Sequence, residues 1–222
     1  MNLLDLIFPK TCVSCNQIGD YLCSSCVSKI EPINHQICPV CRKEAISGLA
    51  HPKCNTKFGL DGLYSFLYFS PPLPQALYKL KYKFVKDFSD ILINKSKLVF
   101  PDVFKNYYLA PIPLHEAKKN WRGFNQVEML ADLLSDKYKI NQAPNVLVRK
   151  KATKSQVGLT KVLRAENLRS AFECVDKKYV KDKKFLLFDD VWTSGATLKN
   201  AGAVLKRAGA KKVWGLTLAR AR

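Results

Sequence analysis

Two adjacent carboxylates stand beside a small hydroxyl-rich loop near the C-terminal end of the sequence. Asp189 and Asp190 follow an apolar run at residues 185–188, which predicts a strand buried on both faces of a parallel sheet and ending at the acids. The loop that comes next consists of Thr193, Ser194, Gly195, Ala196 and Thr197. Its amides and the helix predicted after it favour a phosphate, whereas the carboxylates suit the vicinal hydroxyls of a ribose. The stretch predicts a ribose 5-phosphate site; the simpler alternative is a pair of solvated acids before an N-capped helix.

This order of residues resembles the ribose-phosphate-binding loop of type I phosphoribosyltransferases, in which four apolar residues precede two acids and a Thr/Ser-Gly-x-Thr loop. The resemblance implies that the ligand is 5-phosphoribosyl-1-pyrophosphate with Mg²⁺, which would be held mainly by substrate oxygens and water. Residues 193–197 would bind the 5-phosphate. Asp189 and Asp190 would bind the ribose hydroxyls, and they are the residues expected to be catalytic if the protein transfers phosphoribose.

A second loop rich in basic residues follows the segment at residues 107–113, which predicts a strand ending in a proline-stiffened turn. Lys118 and Arg122 lie in this loop. Cations at the carboxyl end of a parallel strand can bind a pyrophosphate. We therefore expect Lys118 and Arg122 near the pyrophosphate of the same ligand.

Cysteines are concentrated at the start of the chain, where seven of the eight occur before residue 55. Three Cys-x-x-Cys pairs and a final His-x-x-Cys pair form a series: Cys12 and Cys15, Cys23 and Cys26, Cys38 and Cys41, and His51 and Cys54. Eight ligands of this kind are the number that two tetrahedral zinc ions require. Disulfides are the alternative, but they are typical of secreted chains, and the sequence gives no sign of secretion. The eighth cysteine, Cys174, lies in an apolar segment and is predicted to be a buried thiol.

The four pairs can be combined into two metal sites in two ways. Sequential sites would use the first two pairs for one ion and the last two for the other, as in a double zinc ribbon, whereas a cross-brace would interleave them. Only seven residues separate Cys15 from Cys23, which favours a compact local site and hence the sequential arrangement. Because His51 occupies one ligand position, the second site is expected to bind its metal less tightly. Metal is expected to stabilise this segment, which is too short to form a core of its own.

The chain carries 37 Lys and Arg against 18 Asp and Glu, a formal net charge of +19. Such an excess favours a polyanionic partner such as nucleic acid or an anionic membrane, although a solvated basic face is the simpler explanation. Two segments concentrate the charge. One is a helix predicted after Pro71-Pro72, with apolar residues recurring from Leu77 to Ile91, and the other is the loop at residues 149–169. Lysines interleaved with aromatic rings suit single-stranded nucleic acid, against the alternative of snorkelling lysines on a solvated helix. The predicted DNA-binding residues are Lys79, Lys81, Lys83, Lys86, Arg149, Lys150, Lys151 and Arg164.

Further motifs extend the resemblance along the chain. In order they are Phe8-Pro9, the paired cysteines, Arg122-Gly123-Phe124-Asn125-Gln126, Ser155-Gln156-x-Gly158-Leu159, Arg164-x-x-Asn167-Leu168-Arg169-x-Ala171-Phe172 and the acidic stretch at residues 189–197. Together they resemble the competence protein F family. The resemblance implies a cytoplasmic bacterial protein that handles incoming single-stranded DNA during natural transformation, with partners in the DNA-uptake machinery at the inner membrane face. Two residues depart from the family pattern: His51 replaces a cysteine, and Trp192 replaces a smaller or tyrosyl residue.

The elements that must position these residues define the expected fold. We expect a zinc-binding segment at residues 1–58, similar to a double zinc ribbon. An α/β domain should follow at residues 59–222, with a mostly parallel sheet and flanking helices as in type I phosphoribosyltransferases. Strands are predicted at residues 61–70, 107–113, 145–149, 171–175 and 212–218, in addition to the strand before Asp189. Helices are predicted after Pro71-Pro72, at residues 124–139 and after Thr197.

Location and activity are less constrained by the residues. No stretch is long and apolar enough to span a bilayer, and residues 1–9 lack the basic leader of a signal peptide. We therefore expect a cytoplasmic protein, peripheral to the inner membrane. The residues leave two classes of function open: a transferase acting on an unidentified base or amine, and a non-catalytic protein that binds a nucleotide precursor or a DNA end.

Overall fold

The structure is a computed structural model that describes residues 9–80, 89–96, 98–114, 116, 120–121, 123–143, 145–150 and 171–222. In this part of the chain the strands are β1 (Gly62–Tyr68), β2 (Tyr108–Pro111), β3 (Leu147–Arg149), β4 (Phe172–Cys174), β5 (Lys184–Trp192) and β6 (Lys212–Arg220). The α-helices are α1 (Ser24–Val27), α2 (Leu73–Leu80), α3 (Gln126–Tyr138), α4 (Lys177–Val180) and α5 (Ala196–Arg207). A π-helical turn at Ile91–Lys95 and short 3-10 turns at Ile46–Gly48, Pro52–Cys54 and Asp102–Phe104 complete the set.

Four strands form a parallel sheet in the order β1-β6-β5-β2. Strands β3 and β4 pair with each other in a separate antiparallel ribbon. Parallel neighbours require crossover connections, which place helices over the faces of the sheet. The α/β fold with a mostly parallel sheet and flanking helices, as predicted from the sequence, is confirmed.

Strand β5 is buried on both faces, as its unbroken apolar run predicts. Phe185 and Leu187 join one group of buried side chains, to which Leu198 and Leu205 of α5 also belong. The intervening Leu186 and Phe188 belong to a second group, which contains the buried face of α3. Alternate side chains of a strand point to opposite faces, so β5 is a central strand against which both helical layers pack.

Strand β5 continues past the point where the sequence predicts its end. Asp189 is paired with Thr217 and Trp192 with Arg220, because β6 extends to Arg220 and continues the parallel ladder. The paired acids therefore lie within the last residues of the strand. The helix predicted after Pro71-Pro72 begins at Leu73 as α2, and residues 81–88 lie outside the described part of the chain.

The cysteine-rich segment covers the outer edge of β1. Pro32 and Leu49 form antiparallel bridges to Leu67 and Gly62, and Gln36 exchanges two side-chain hydrogen bonds with the backbone of Ser65 at 2.9 and 3.0 Å. These contacts satisfy backbone groups that an edge strand leaves open. The division into residues 1–58 and 59–222 remains a prediction, since the two parts share hydrogen bonds along this edge.

Among the described residues, no helix combines the length and the apolar character that crossing a bilayer requires.

Candidate ribose-phosphate cleft and metal-binding groups

A cleft of about 520 Å³ opens at the carboxyl ends of β2 and β5, and we call it the carboxyl-end cleft. Residues that line it include Ile112, Pro113, Gln126, Arg149, Asp189, Asp190, Thr193 and Thr197. Ligands of open parallel α/β sheets bind outside the carboxyl ends of the strands. The acids and both threonines of the predicted ribose-phosphate site therefore face one cavity in the expected place.

Hydrogen bonds hold the two acids in position. The Oδ1 atom of Asp189 accepts from the backbone N–H of Asp190 at 2.9 Å, and Oδ1 of Asp190 accepts from the N–H of Val191 at 2.8 Å. The side-chain amide of Gln126 donates to Oδ2 of Asp190 at 3.4 Å. A carboxylate oxygen has more than one acceptor position, so both side chains can still accept hydrogen bonds from ligand hydroxyls.

The carboxyl group of Asp189 is a weaker acid than usual. Burial raises its pKa to about 8, and the neighbouring Asp190 carboxylate adds to the rise, while the charge of Arg149 acts in the opposite direction. With a pKa of about 8 the side chain is mostly protonated at pH 7 in the ligand-free protein. A protonated carboxyl can donate a hydrogen bond, and its proton can be exchanged near neutral pH.

Replacing Asp189 with asparagine should increase the stability of the protein more at pH 8.5 than at pH 5.5. The folded pKa of about 8 lies above the ordinary value of about 3.9 for an unfolded chain. Wild-type stability should therefore fall as the pH rises between these values, by at most about 1.4 kcal/mol per pH unit from this group. Asparagine resembles the neutral acid and removes this dependence. Denaturant midpoints of wild type and Asp189→Asn, measured at both pH values, test this prediction. Asp136→Asn, at an exposed position of α3, is the control. Equal gains in stability at both pH values would contradict the raised pKa of Asp189.

The hydroxyl-rich loop is shaped around a glycine and a tryptophan. Gly195 adopts a left-handed conformation with φ of 76°, and a Cβ atom there would lie 2.2 Å from the ring of Trp192. Ser194 Oγ accepts from the N–H of Ala196 at 3.3 Å, at the first turn of α5. Thr193 and Ser194 are exposed. The loop therefore presents amides and hydroxyls at the N-terminus of a 12-residue helix, an arrangement that favours anions.

The structure places Arg149, predicted as a DNA-binding residue, in the wall of the carboxyl-end cleft. Its charge acts on Asp189, and its guanidinium lies 5.4 Å from the centre of the Phe172 ring. Lys150, next in sequence, instead forms an ion pair with Glu173 at 3.2 Å. Lys79 is exposed on α2. The other predicted DNA-binding and pyrophosphate residues lie outside the described part of the chain: Lys81, Lys83, Lys86, Lys118, Arg122, Lys151 and Arg164.

Two amide side chains at the start of α3 were not predicted as site residues. Asn125 caps the helix by accepting from the N–H of Val127 at 3.0 Å, and its Nδ2 donates to the carbonyl of Ile112 at 3.2 Å. Gln126 is 4% exposed and contacts Asp190 as described above. An Asn before a helical pattern is an N-cap signal in sequence, but the contact with Asp190 depends on tertiary structure.

The paired cysteines form two separate groups. Within each group the ligand atoms lie within 4.8 Å of one another, and the members are Cys12, Cys15, Cys23 and Cys26 in the first and Cys38, Cys41, His51 and Cys54 in the second. The Sγ atoms of Cys15 and Cys23 are 3.6 Å apart, close to the ~3.8 Å expected for two thiolates on one tetrahedral zinc with bonds of about 2.3 Å. The geometry matches the sequential arrangement.

His51 is oriented to act as a ligand. Its Nε2 lies 3.0 Å from the carbonyl oxygen of Glu44, and since a carbonyl only accepts, Nε2 carries the proton. In the neutral imidazole Nδ1 is then the unprotonated nitrogen, and it lies 3.2 Å from Sγ of Cys41. Metal-binding histidines ordinarily donate their other N–H to such an acceptor. The residue that departs from the family pattern is thus compatible with metal binding.

Each group combines one thiol of lowered pKa, Cys12 or Cys38, with one of raised pKa, Cys26 or Cys54. Burial opposes ionisation of Cys12 and Cys38, but backbone N–H donors outweigh it and bring the pKa of each to about 6. Thiolates are the form that binds metal. The donor sets therefore fit a soft or borderline divalent cation. Cys174, in contrast, belongs to neither group, is buried as predicted, and has a pKa raised mainly by burial.

Comparison with known families defines the class of the protein. Residues 3–55 match the model of the double zinc ribbon domain, and residues 122–222 match that of the phosphoribosyl transferase domain. The chain is thus a double zinc ribbon joined to a domain of the phosphoribosyltransferase fold. This class agrees with the sheet order, the carboxyl-end cleft and the two cysteine groups.

Individual relatives define the family more narrowly. Competence protein ComFC of Streptococcus pneumoniae is 31% identical over 90% of this chain and 87% of its own length. The DNA utilization protein YhgH of Escherichia coli is 27% identical over 94% and 96%. Competence protein F of Haemophilus influenzae is 35% identical, but this match spans only half of each chain. The chain belongs to the ComF/ComFC family of competence proteins.

The similarity of this chain to solved structures is weaker than its similarity to these relatives. Glutamine phosphoribosylpyrophosphate amidotransferase from Bacillus subtilis aligns with a TM-score of 0.38 and 16% identity, over 58% of this chain and 24% of that enzyme. The fold class rests on the strand order and the family models instead.

Proposed function

We propose that this protein handles incoming single-stranded DNA during natural transformation and that its carboxyl-end cleft binds 5-phosphoribosyl-1-pyrophosphate. The observation that carries the proposal is the cleft itself, in which Asp189, Asp190, Thr193 and Thr197 face one cavity of about 520 Å³. Its relatives are named for competence and DNA utilization. The DNA-uptake machinery at the inner membrane face remains the predicted protein partner.

Different residues of the cleft bind different parts of the ligand. Loop amides and hydroxyls at residues 193–197 bind the 5-phosphate, and Asp189 and Asp190 bind the ribose hydroxyls. Arg149, in the wall of the cleft, adds a positive charge for the pyrophosphate, together with the predicted Lys118 and Arg122. Carboxylate oxygens beside the cleft are also ligands that Mg²⁺ prefers. When bound with the ligand, Mg²⁺ would neutralise part of the negative charge of the pyrophosphate. At the two cysteine groups the proposed ion is zinc.

Replacing Asp190 with alanine should weaken binding of the pyrophosphate donor with Mg²⁺ by roughly tenfold or more. A hydrogen bond to a charged group contributes on the order of 1.5–3 kcal/mol, and 1.4 kcal/mol corresponds to a factor of ten. Thr197→Ala should weaken the phosphate end of the site by removing a loop hydroxyl. Calorimetric titration of both variants measures this, with Asp136→Ala on the exposed side of α3 as the charge-matched control. Equal affinity of wild type and Asp190→Ala would show that the cleft is misassigned.

A phosphoribosyltransferase acting on an unidentified base or amine is the second candidate. The raised pKa of Asp189 favours it, because a carboxyl that exchanges its proton near neutral pH can assist group transfer. Pyrophosphate release from the donor, assayed with and without candidate acceptors, separates the two. Acceptor-dependent release that is lost in Asp189→Asn would establish transfer, and tight binding without release would favour the binding protein.

A further inference from the structure

Arg42 joins the second cysteine group to the hydroxyl-rich loop. It follows Cys41 directly in sequence, and its Nη2 donates to the backbone carbonyl of Ser194 at 3.0 Å, across 152 positions of the chain. The contact comes from the cysteine-rich segment, but it is made on the loop proposed to bind the 5-phosphate. Neither the family models nor the names of the relatives assign this residue a role.

The turn that contains Cys38 and Cys41 fixes the backbone of Arg42. The residue has a positive φ of 62°, which is uncommon for a side chain other than glycine. The conformation is closed by a hydrogen bond from its N–H to the carbonyl of Cys38 at 3.0 Å. A metal held by Cys38 and Cys41 would stabilise this turn, and the direction in which the Arg42 side chain leaves the backbone follows from it.

The Ser194 carbonyl controls an amide of the loop. In a trans peptide the C=O and the next N–H point in opposite directions within one plane. By holding the carbonyl of Ser194, Arg42 therefore sets the direction of the N–H of Gly195. Glycine allows such a peptide to rotate at little cost, and an amide that rotates freely is a poor phosphate ligand. The contact holds this peptide from its carbonyl side, in addition to the Trp192 ring that packs against Gly195.

A second cation lies on the same side of the loop. Lys199, in the first turns of α5, has its Nζ 5.5 Å from the centre of the Trp192 ring that supports Gly195. Burial lowers the pKa of Lys199, and the Arg42 charge lowers it further, so the two cations are near each other. Together they make the environment of the loop more positive, which favours a bound phosphate.

We propose that Arg42 is a positioning residue for the phosphate loop and that it couples the second cysteine group to the carboxyl-end cleft. This inference rests on the proposed function, since the cleft must bind a phosphorylated ribose for the coupling to be expressed. Coupling between two sites is reciprocal in binding free energy. Metal in the second group strengthens ligand binding, and the ligand strengthens metal binding by the same factor.

Calorimetry with the pyrophosphate donor and Mg²⁺ tests the positioning role. Arg42→Ala should bind the donor roughly threefold to tenfold more weakly, since one exposed charge-assisted hydrogen bond is lost. Arg42→Lys, which keeps the charge on a compact ammonium group but lacks the planar guanidinium, should recover part of the loss. Lys43→Ala removes the same charge from the next, exposed position and should leave the affinity unchanged. Equal loss in Arg42→Ala and Lys43→Ala would reduce the effect to general electrostatics and overturn the proposal.

Metal release tests the coupling with a readout that does not depend on activity. Transfer of zinc from the protein to a chromophoric chelator should slow for one of two ions when the donor is present. In Arg42→Ala the donor should have no such effect. Donor-independent release of both ions in the wild type would overturn the coupling.

A third measurement separates failure of this inference from failure of the proposed function. If the wild type binds no donor, the proposed function fails. Hydrogen exchange without ligand then decides on Arg42: amides at residues 193–197 should exchange faster in Arg42→Ala than in Lys43→Ala or wild type. Unchanged exchange in Arg42→Ala would refute positioning of the loop.

Discussion

Substitution of Cys12 by alanine should remove one of two zinc ions per chain and unfold the first cysteine group, while the α/β domain stays folded but becomes less soluble. Structural zinc contributes an apparent 10–16 kcal/mol in small zinc-binding peptides, far more than a segment of this size gains from its own core. Cys12 and Cys26 are buried in the same group of side chains as Leu22 and Phe66. Loss of the metal therefore exposes apolar surface on the sheet, which explains the expected loss of solubility.

Elemental analysis and circular dichroism measure this result. Wild type should contain about two zinc ions per chain and Cys12→Ala about one, with helix and strand signals largely retained. Cys174→Ala is the matched control, because Cys174 is buried but belongs to neither group, and it should keep both ions. Protein without zinc, or an intact mass that shows disulfides between the pairs, would contradict the metal assignment.

The fold could be predicted from the sequence where the local pattern and the tertiary structure agree. The apolar run at residues 185–188 cannot be solvated on either side, so a central strand with helices on both faces is the stable arrangement. The pairing of the cysteines could likewise be predicted, since short spacings bring consecutive pairs together at little entropic cost. In both cases the determining interactions are close in sequence.

Features that depend on contacts distant in sequence could not be predicted. Strand β5 extends to Trp192 only because β6 reaches Arg220 and pairs with it. Arg149 was grouped with the basic residues that follow it, yet the β3–β4 ribbon places it in the wall of the cleft. Arg42 is an exposed arginine with no distinguishing sequence context, and its contact with Ser194 exists only in the folded chain.

The largest effect on affinity should be the effect of salt on binding to single-stranded DNA. If lysines neutralise phosphates, the logarithm of the binding constant falls by roughly 0.7 per contact for each unit of log salt. Replacing Lys79, Lys81 and Lys83 with alanine should therefore make this slope shallower by about 2. Over a fourfold change in salt, three such contacts correspond to about a twentyfold change in affinity. Stacking on aromatic rings, at about 1–3 kcal/mol per base, should be nearly independent of salt.

Fluorescence anisotropy with a labelled oligonucleotide at several salt concentrations measures the slope. A second triple alanine variant, at Lys177, Lys178 and Lys181, is the control: it removes the same charge from exposed positions in and next to α4. This helix precedes β5, so it lies toward the amino end of the strand, away from the cleft. Arg149→Ala should chiefly weaken donor binding, since Arg149 lines the cleft.

Each result assigns DNA binding to a different surface. A shallower slope in the Lys79, Lys81 and Lys83 variant alone would indicate that these lysines contact DNA phosphates. Equal changes in both triple variants indicate that net charge controls binding, because any loss of three positive charges then has the same effect. A larger change of slope in the Lys177, Lys178 and Lys181 variant would place the DNA-binding surface at the opposite end of the sheet. Absence of binding at low salt would reject the DNA-handling role. The raised pKa of Asp189, which lies beside the loop proposed to bind the 5-phosphate, would then favour the transferase.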